Sequence, residues 1–226
     1  VTHSEIAYLK NMMWAQGYLD TKQMADAFQM LRSYDMGWSR MVHDYLMGER
    51  TALFDLMAWN ADATRMPYKM HSEYLERLFL ANEFADGNFT VFGKPVAPEN
   101  ITVPVFAVGT EKDHVAPWKS VYKVHLMMSG DVTVALANGG HNAGIVSEPG
   151  HPHRYYALGH KKPGSPYQSP DVWLEQAARH EGSWWTAWGT WLDARGSRTR
   201  VSAPKRLGNA TYKPLGDAPG TYVHQK

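Results

Sequence analysis

Apolar positions along this chain gather into short runs of strand length, set between longer stretches of helical periodicity. Residues 101–108, Ile-Thr-Val-Pro-Val-Phe-Ala-Val, are rich in β-branched and aromatic side chains and stop at Gly109, which predicts a buried strand. Residues 132–137, Val-Thr-Val-Ala-Leu-Ala, predict a second, and residues 52–59 a third that ends in polar positions. Between the first two, residues 118–128 predict a helix. From Ser4 to about Gly48 the pattern is helical: Met24, Phe28 and Leu31 share one face, as do Trp38, Val42 and Tyr45. Such faces either pack in a core or form a movable lid that repacks against a substrate or partner. Residues 75–84 predict a helix and 89–98 a short hairpin or loop. Residues 149–169, rich in Pro, Gly and His, predict a loop. A helix opens at Asp171, and in the following segment Trp184, Trp188 and Trp191 fall on one face, expected to pack on the body of the domain. The tail from Gly196 is polar and expected to lie irregularly on the surface.

Strands alternating with helices predict an α/β fold. Three strands behind a helical segment look like the C-terminal part of a mostly parallel sheet, which needs helices on both faces. The remaining strands are expected ahead of Val1, with residues 1–51 as helical lid, 52–195 as the C-terminal part of the core and 196–226 as surface tail.

With 44% hydrophobic and 20% charged residues and a net charge of +1, the chain reads as a soluble globular protein. It lacks the basic stripe expected of a nucleic-acid binder and any apolar run of about 20 residues. No secretory signal opens it, so a cytoplasmic setting is expected.

Chemistry concentrates at the strand ends. Glu111-Lys-Asp113-His114 follows the first predicted strand, and Asn138-Gly-Gly-His141-Asn-Ala-Gly144 follows the second. A carboxylate after one strand and a histidine after the next are the last two members of the nucleophile, acid, base order of α/β-hydrolases. Asp62, after the 52–59 strand, lies on the same functional edge, where it either serves the site or caps the next segment. In place of a site role, Asp113 could cap the segment at Trp118, and His141 could merely pack in its turn. The nucleophile is missing: the chain has no Cys, and Gly37-Trp-Ser39-Arg-Met41 lacks the closing Gly of an elbow. His151, His153 and His160 have no companions at metal-ligand spacing and are expected as solvated loop histidines; no metal and no cofactor are expected.

Several motifs in order carry a resemblance. Phe54-Asp55 through Trp59-Asn60-x-Asp62-x-Thr64, Asp113-His114-x-x-Pro117-Trp118, Gly140-His141-x-Ala143-Gly144, Gly182-Ser183-Trp184-Trp185 with Trp188 and Trp191, and Ala218-Pro219-Gly220-x-Tyr222-Val223 resemble the C-terminal half of class I polyhydroxyalkanoate synthases. The resemblance implies an α/β-hydrolase fold and an acyltransferase that polymerises (R)-3-hydroxyacyl-CoA into polyester, releasing CoA, its substrate-borne leaving group. It implies a nucleophilic Cys upstream of Val1, His141 as general base, and Asp113 as the carboxylate that orients it or acts towards the substrate hydroxyl. Trp59, Asn60 and Asp62 would support the site, with His114 and Trp118 beside the acid. A homodimer at the surface of cytoplasmic polyester granules, and a lid before residue 52, are implied as well. Two departures stand out: Asn142 replaces an aliphatic residue, and Asn138-Gly-Gly140 replaces a Ser-containing turn. An esterase or polyester depolymerase with an upstream Ser would share the acid and base, and a non-catalytic assembly module would need no nucleophile.

Overall fold

The computed structural model describes residues 2–20, 41–48, 64–197, 199–218 and 220–221. The chain divides into two compact units, Val1–Asn82 with Pro204–Lys226, and Glu83–Ala203.

In the first unit, α1 (His3–Gln16) opens with a reciprocal cap: Glu5 N–H donates to Thr2 Oγ1 and the Thr2 N–H to Glu5 Oε2. That arrangement satisfies two amides which the first helical turn leaves free. Gly17 stops the helix, and β1 (Tyr18–Leu19) pairs antiparallel with β2 (Met66–Pro67). The chain then runs through α2 (Tyr68–Glu73) into π-helical turns over Tyr74–Leu80. Lys10 reaches Glu76 at 2.7 Å, tying α1 to those turns. The predicted 75–84 helix thus begins earlier and ends at Leu80. The uniform helical reading of residues 4–48 is interrupted at Tyr18, while 21–40 lie outside the described residues, as does the predicted 52–59 strand.

The second unit holds the chemistry. A hairpin of β3 (Thr90–Val91) and β4 (Lys94–Pro95) precedes a four-stranded sheet, ordered β5 (Val105–Thr110), β6 (Val132–Ala137), β7 (Tyr155–Lys161), β8 (Ala178–Glu181). The first strand starts later than predicted, because Pro104 offers no amide to the ladder, and continues through Gly109 and Thr110, which pair with Leu136 and Ala137. Only β5 and β6 run parallel; β6–β7 and β7–β8 are antiparallel. The described sheet is therefore mixed rather than mostly parallel. The predicted 149–169 loop contains β7, so His160 is a strand residue, its Nε2 3.3 Å from Asp131 Oδ1.

Every residue of β6 is buried, which is what a strand covered on both faces requires. Alternate side chains serve the two faces. Val132, Val134 and Leu136 pack with Tyr122 and Trp173, whereas Ala135 and Ala137 pack with Tyr156 and Trp184. Two short helices, α3 (Trp118–Val121) and α4 (Val124–Met127), replace the single helix predicted over 118–128. With α5 (Pro170–Gln176) they supply Trp118, Tyr122 and Trp173 to the first face. The other face is covered around α6 (Trp185–Asp193), where Phe106 of β5 meets the rings of Trp184 and Trp191. Trp184 itself sits at the helix N-cap. Beyond α6, residues 199–218 form no regular element.

Candidate active site

Parallel pairing carries β5 and β6 to the same edge, and the chain continues to pair beyond both ends. Glu111 N–H donates to the Ala137 carbonyl at 2.9 Å and Lys112 N–H to the Gly139 carbonyl at 3.0 Å. These bonds zip the acid loop to the glycine turn, so residues 28 positions apart become neighbours. Asp113 Oδ2 accepts from His141 Nδ1 at 2.8 Å. Because an ionised carboxylate only accepts, the shared proton lies on Nδ1, and in the neutral imidazole this leaves Nε2 with the free lone pair. No described residue bonds that nitrogen. The other carboxylate oxygen, Oδ1, accepts from the amides of Val115 and Ala116 at 2.9 and 2.8 Å.

Asp113 therefore does two jobs: it closes a local turn ahead of α3 and it orients the imidazole. Its side chain is only 8% exposed, against 39% for His141. Burial pushes its carboxyl pKa up, but the hydrogen bonds from Ala116 N–H, His141 and Val115 N–H outweigh this and hold it below the ordinary value of 3.8. An ionised carboxylate backing a partly exposed imidazole is an arrangement that can serve as the acid and base of a catalytic triad.

The turn carrying His141 is held from several sides. Gly144 N–H donates to the Gly140 carbonyl, and the amides of Ile145 and Val146 donate to the Asn142 carbonyl, closing a helical turn around the histidine. At position 144 a Cβ would lie 2.9 Å from Thr110 Cβ and 3.0 Å from the Asn138 carbonyl, so only glycine lets the turn approach the end of β5. The Asn138 side chain spans to β7, donating to the His153 carbonyl at 2.8 Å and accepting from Tyr155 N–H at 3.2 Å. Tyr155 OH in turn donates to Glu111 Oε2 at 2.9 Å. Sequence reading missed Asn138, Tyr155 and Glu111 as supports; a polar residue ending a largely apolar strand was the one available signal.

Of the other residues singled out by sequence, His114 is exposed beside Asp113, and Trp118 packs into the core against Tyr122 and Trp173. Trp59, Asn60 and Asp62 lie outside the described residues. His151, His153 and His160 form no metal-holding group with other side chains among the described residues. No helix among the described residues is long and apolar enough to cross a membrane.

No family model matches the chain. Curated relatives do: it is 39% identical over 215 residues, 95% of its length, to poly(3-hydroxyalkanoate) polymerase 2 of Ectopseudomonas oleovorans. The chain is a homologue of the poly(3-hydroxyalkanoate) polymerases. It is 39% identical over 223 residues to the poly(3-hydroxyalkanoate) polymerase of Methylorubrum extorquens, covering 98% of this chain. To the poly(3-hydroxyalkanoate) polymerase subunit PhaC of Cupriavidus necator it is 36% identical over 205 residues, or 90% of this chain. The matched part is 37%, 36% and 34% of these polymerases, so the chain spans about a third of the relatives it matches.

Proposed function

We propose that this chain supplies the acid–base half of a poly(3-hydroxyalkanoate) polymerase acting on (R)-3-hydroxyacyl-CoA. The observation that carries the reading is the 2.8 Å contact between His141 and Asp113, held at the edge of paired parallel strands in a chain similar along 95% of its length to a named polymerase. His141 Nε2 takes the proton of a cysteine thiol supplied from outside this sequence. The thiolate attacks the acyl-CoA carbonyl; the carbon–sulfur bond to CoA breaks, and CoA leaves with the proton that His141 returns. In the second half, His141 removes the proton of a 3-hydroxyl group, whose oxygen attacks the enzyme-bound thioester; the new ester bond forms as the carbon–sulfur bond to the cysteine breaks, and the departing cysteine sulfur takes back the proton from His141. Asp113 holds the imidazole in the tautomer that both steps need and stabilises the imidazolium between them.

The same reading extends to parts of the chain for which the support is sequence resemblance alone. Residues 1–51 would act as a lid, with Trp59, Asn60 and Asp62 bracing the site. The polymerase would work as a homodimer at the surface of cytoplasmic polyester granules, with no cofactor beyond its CoA substrate. The test is direct: the 226-residue chain alone should release no CoA from (R)-3-hydroxybutyryl-CoA, while the protein joining it to a cysteine-bearing half should. In that protein His141→Ala should cost roughly 10²–10⁴-fold in turnover. Release by the isolated chain above the blank, or unimpaired turnover in a folded His141→Ala variant, would overturn the assignment.

A further inference from the structure

We infer that Ser183, Trp184 and Trp185 form a clamp that positions the catalytic histidine, by hydrogen-bonding three backbone carbonyls of the segment that follows it. This rests on the functional reading above and adds residues to it. Trp184 Nε1 donates to the Gly144 carbonyl at 3.1 Å and Trp185 Nε1 to the Ile145 carbonyl at 2.9 Å. Ser183 Oγ donates to the Ser147 carbonyl and also accepts the Trp185 amide at 3.0 Å. Three consecutive residues thus spend their side-chain donors on residues 144–147, about 40 positions earlier in sequence.

Simple packing does not account for this. An indole has a single donor, and either ring could have filled its volume with the N–H turned elsewhere. Ser183, Trp184 and Ser147 are 3%, 7% and 2% exposed, so the bonds to Gly144 and Ser147 lie out of water, where geometry is held most firmly. Gly144 is then fixed from both sides, by Trp184 and by the wall of Thr110 at the end of the strand that leads to Asp113. Since Gly144 N–H bonds the Gly140 carbonyl, the clamp reaches the backbone on both sides of His141. The imidazole's own side-chain anchor is Asp113; the clamp sets the backbone from which it hangs. Displacements of about 1 Å are enough to cost roughly 10²-fold in rate.

The experiment replaces Trp184 or Trp185 individually with β-(3-benzothienyl)alanine, which keeps the ring shape but removes the N–H, in the polymerase carrying the nucleophile. Trp188→Phe, on the same helix and 40% exposed, is the control. Three results support the clamp. Amide exchange at Gly144, Ile145 and Val146 should rise at least about tenfold while Val132–Ala137 is unchanged. The downfield proton resonance of His141 Nδ1–H should broaden or vanish. The kcat for CoA release should fall about tenfold with KM within about twofold, and 5-fluorotryptophan, which keeps the donor, should restore all three. If both benzothienyl variants exchange, resonate and turn over like wild type, or if the loop loosens while turnover holds, the clamp is not a positioning device. A loss of turnover with the exchange and Nδ1–H signals intact also overturns it. Full turnover in folded His141→Ala refutes instead the functional reading, which the exchange data do not depend on.

Discussion

Replacing Asp113 by asparagine should be at least as damaging as replacing it by alanine, although asparagine is nearly isosteric. The reason lies in how the two carboxylate oxygens are used. Oδ1 already accepts from two amides, Val115 N–H and Ala116 N–H, at 2.9 and 2.8 Å, and Oδ2 accepts from His141 at 2.8 Å. A carboxamide has one oxygen for these two demands. Turning its NH₂ towards the backbone would forfeit two bonds worth about 1 kcal/mol each, besides setting donor against donor. A bias of about 2 kcal/mol is roughly 30-fold, so the amide oxygen stays on the backbone and the NH₂ faces His141 Nδ1. Nδ1 must then accept, the proton moves to Nε2, and the nitrogen facing the substrate can no longer act as a base. Alanine leaves the tautomer free and so keeps a fraction of competent imidazole. Turnover of Asp113→Asn in the complete polymerase should therefore drop by roughly 10²–10⁴-fold, at or below Asp113→Ala. Nitrogen-15 NMR of the histidines should show the His141 proton on Nδ1 in the wild type and on Nε2 in the asparagine variant. An asparagine variant that outperforms alanine, or keeps its proton on Nδ1, would refute the tautomer mechanism.

Other consequences can be measured by stability. His125 is buried, 5% exposed, with burial and then Lys161 pushing its pKa from 6.5 down to about 4. The unfolded chain thus takes up this proton first, so stability present above pH 6.5 is lost as pH falls towards 4, by up to about 3 kcal/mol. Urea titrations at pH 7 and 4.5 should show this loss, and His125→Phe should flatten it; equal pH slopes would exclude His125 as the cause. Asp113 acts lower: its folded pKa is depressed, so its contribution holds above about 3.8 and disappears as pH falls through the folded value, a limb that Asp113→Ala should remove from the same titrations. Gly144→Ala drives a methyl against Thr110 and the Asn138 carbonyl and should cost about 1–3 kcal/mol, read as a lowered Tm; an unchanged Tm would mean that the turn shifts freely.

What could be read from sequence follows from how local the determinants are. Val132–Ala137 matched its predicted bounds because a strand buried on both faces is a nearly continuous apolar run, here interrupted only by the β-branched Thr133. Strand β7 was hidden because its alternation is broken by Gly159 and its flanks are crowded with Pro152, Pro163 and Gly164, which read as loop. The structure gives that glycine a reason: a Cβ there would stand 2.9 Å from Trp173 Cε2, so the strand interior makes room for an indole that arrives from α5. No local rule can show that the neighbour across a strand requires a missing side chain. The mixed pairing was hidden with it, since the orientation of β7 and β8 depends on finding them.

The pairing of Asp113 with His141 was legible for a different reason. In parallel strands joined by a short crossover, whatever follows each strand emerges on the same edge, so chain order alone brings Asp113 and His141 within reach of each other. Sequence posed the capping role and the orienting role of Asp113 as rivals, yet a carboxylate has two oxygens, and each role uses a different one. The tryptophans show the converse limit. Their helical spacing was read as packing, and Trp184 and Trp191 do meet Phe106. Spacing reports which face a ring lies on, whereas the indole N–H acts along a direction set by the rotamer and by a distant carbonyl. Ser183, small and adjacent to the stripe, carried no periodic signal at all, although its hydroxyl is the group that joins the helix start to Ser147. The paired carboxylate and histidine were thus visible in the chain, and the groups that hold the histidine's loop became visible only once the carbonyls of residues 144–147 had positions in space.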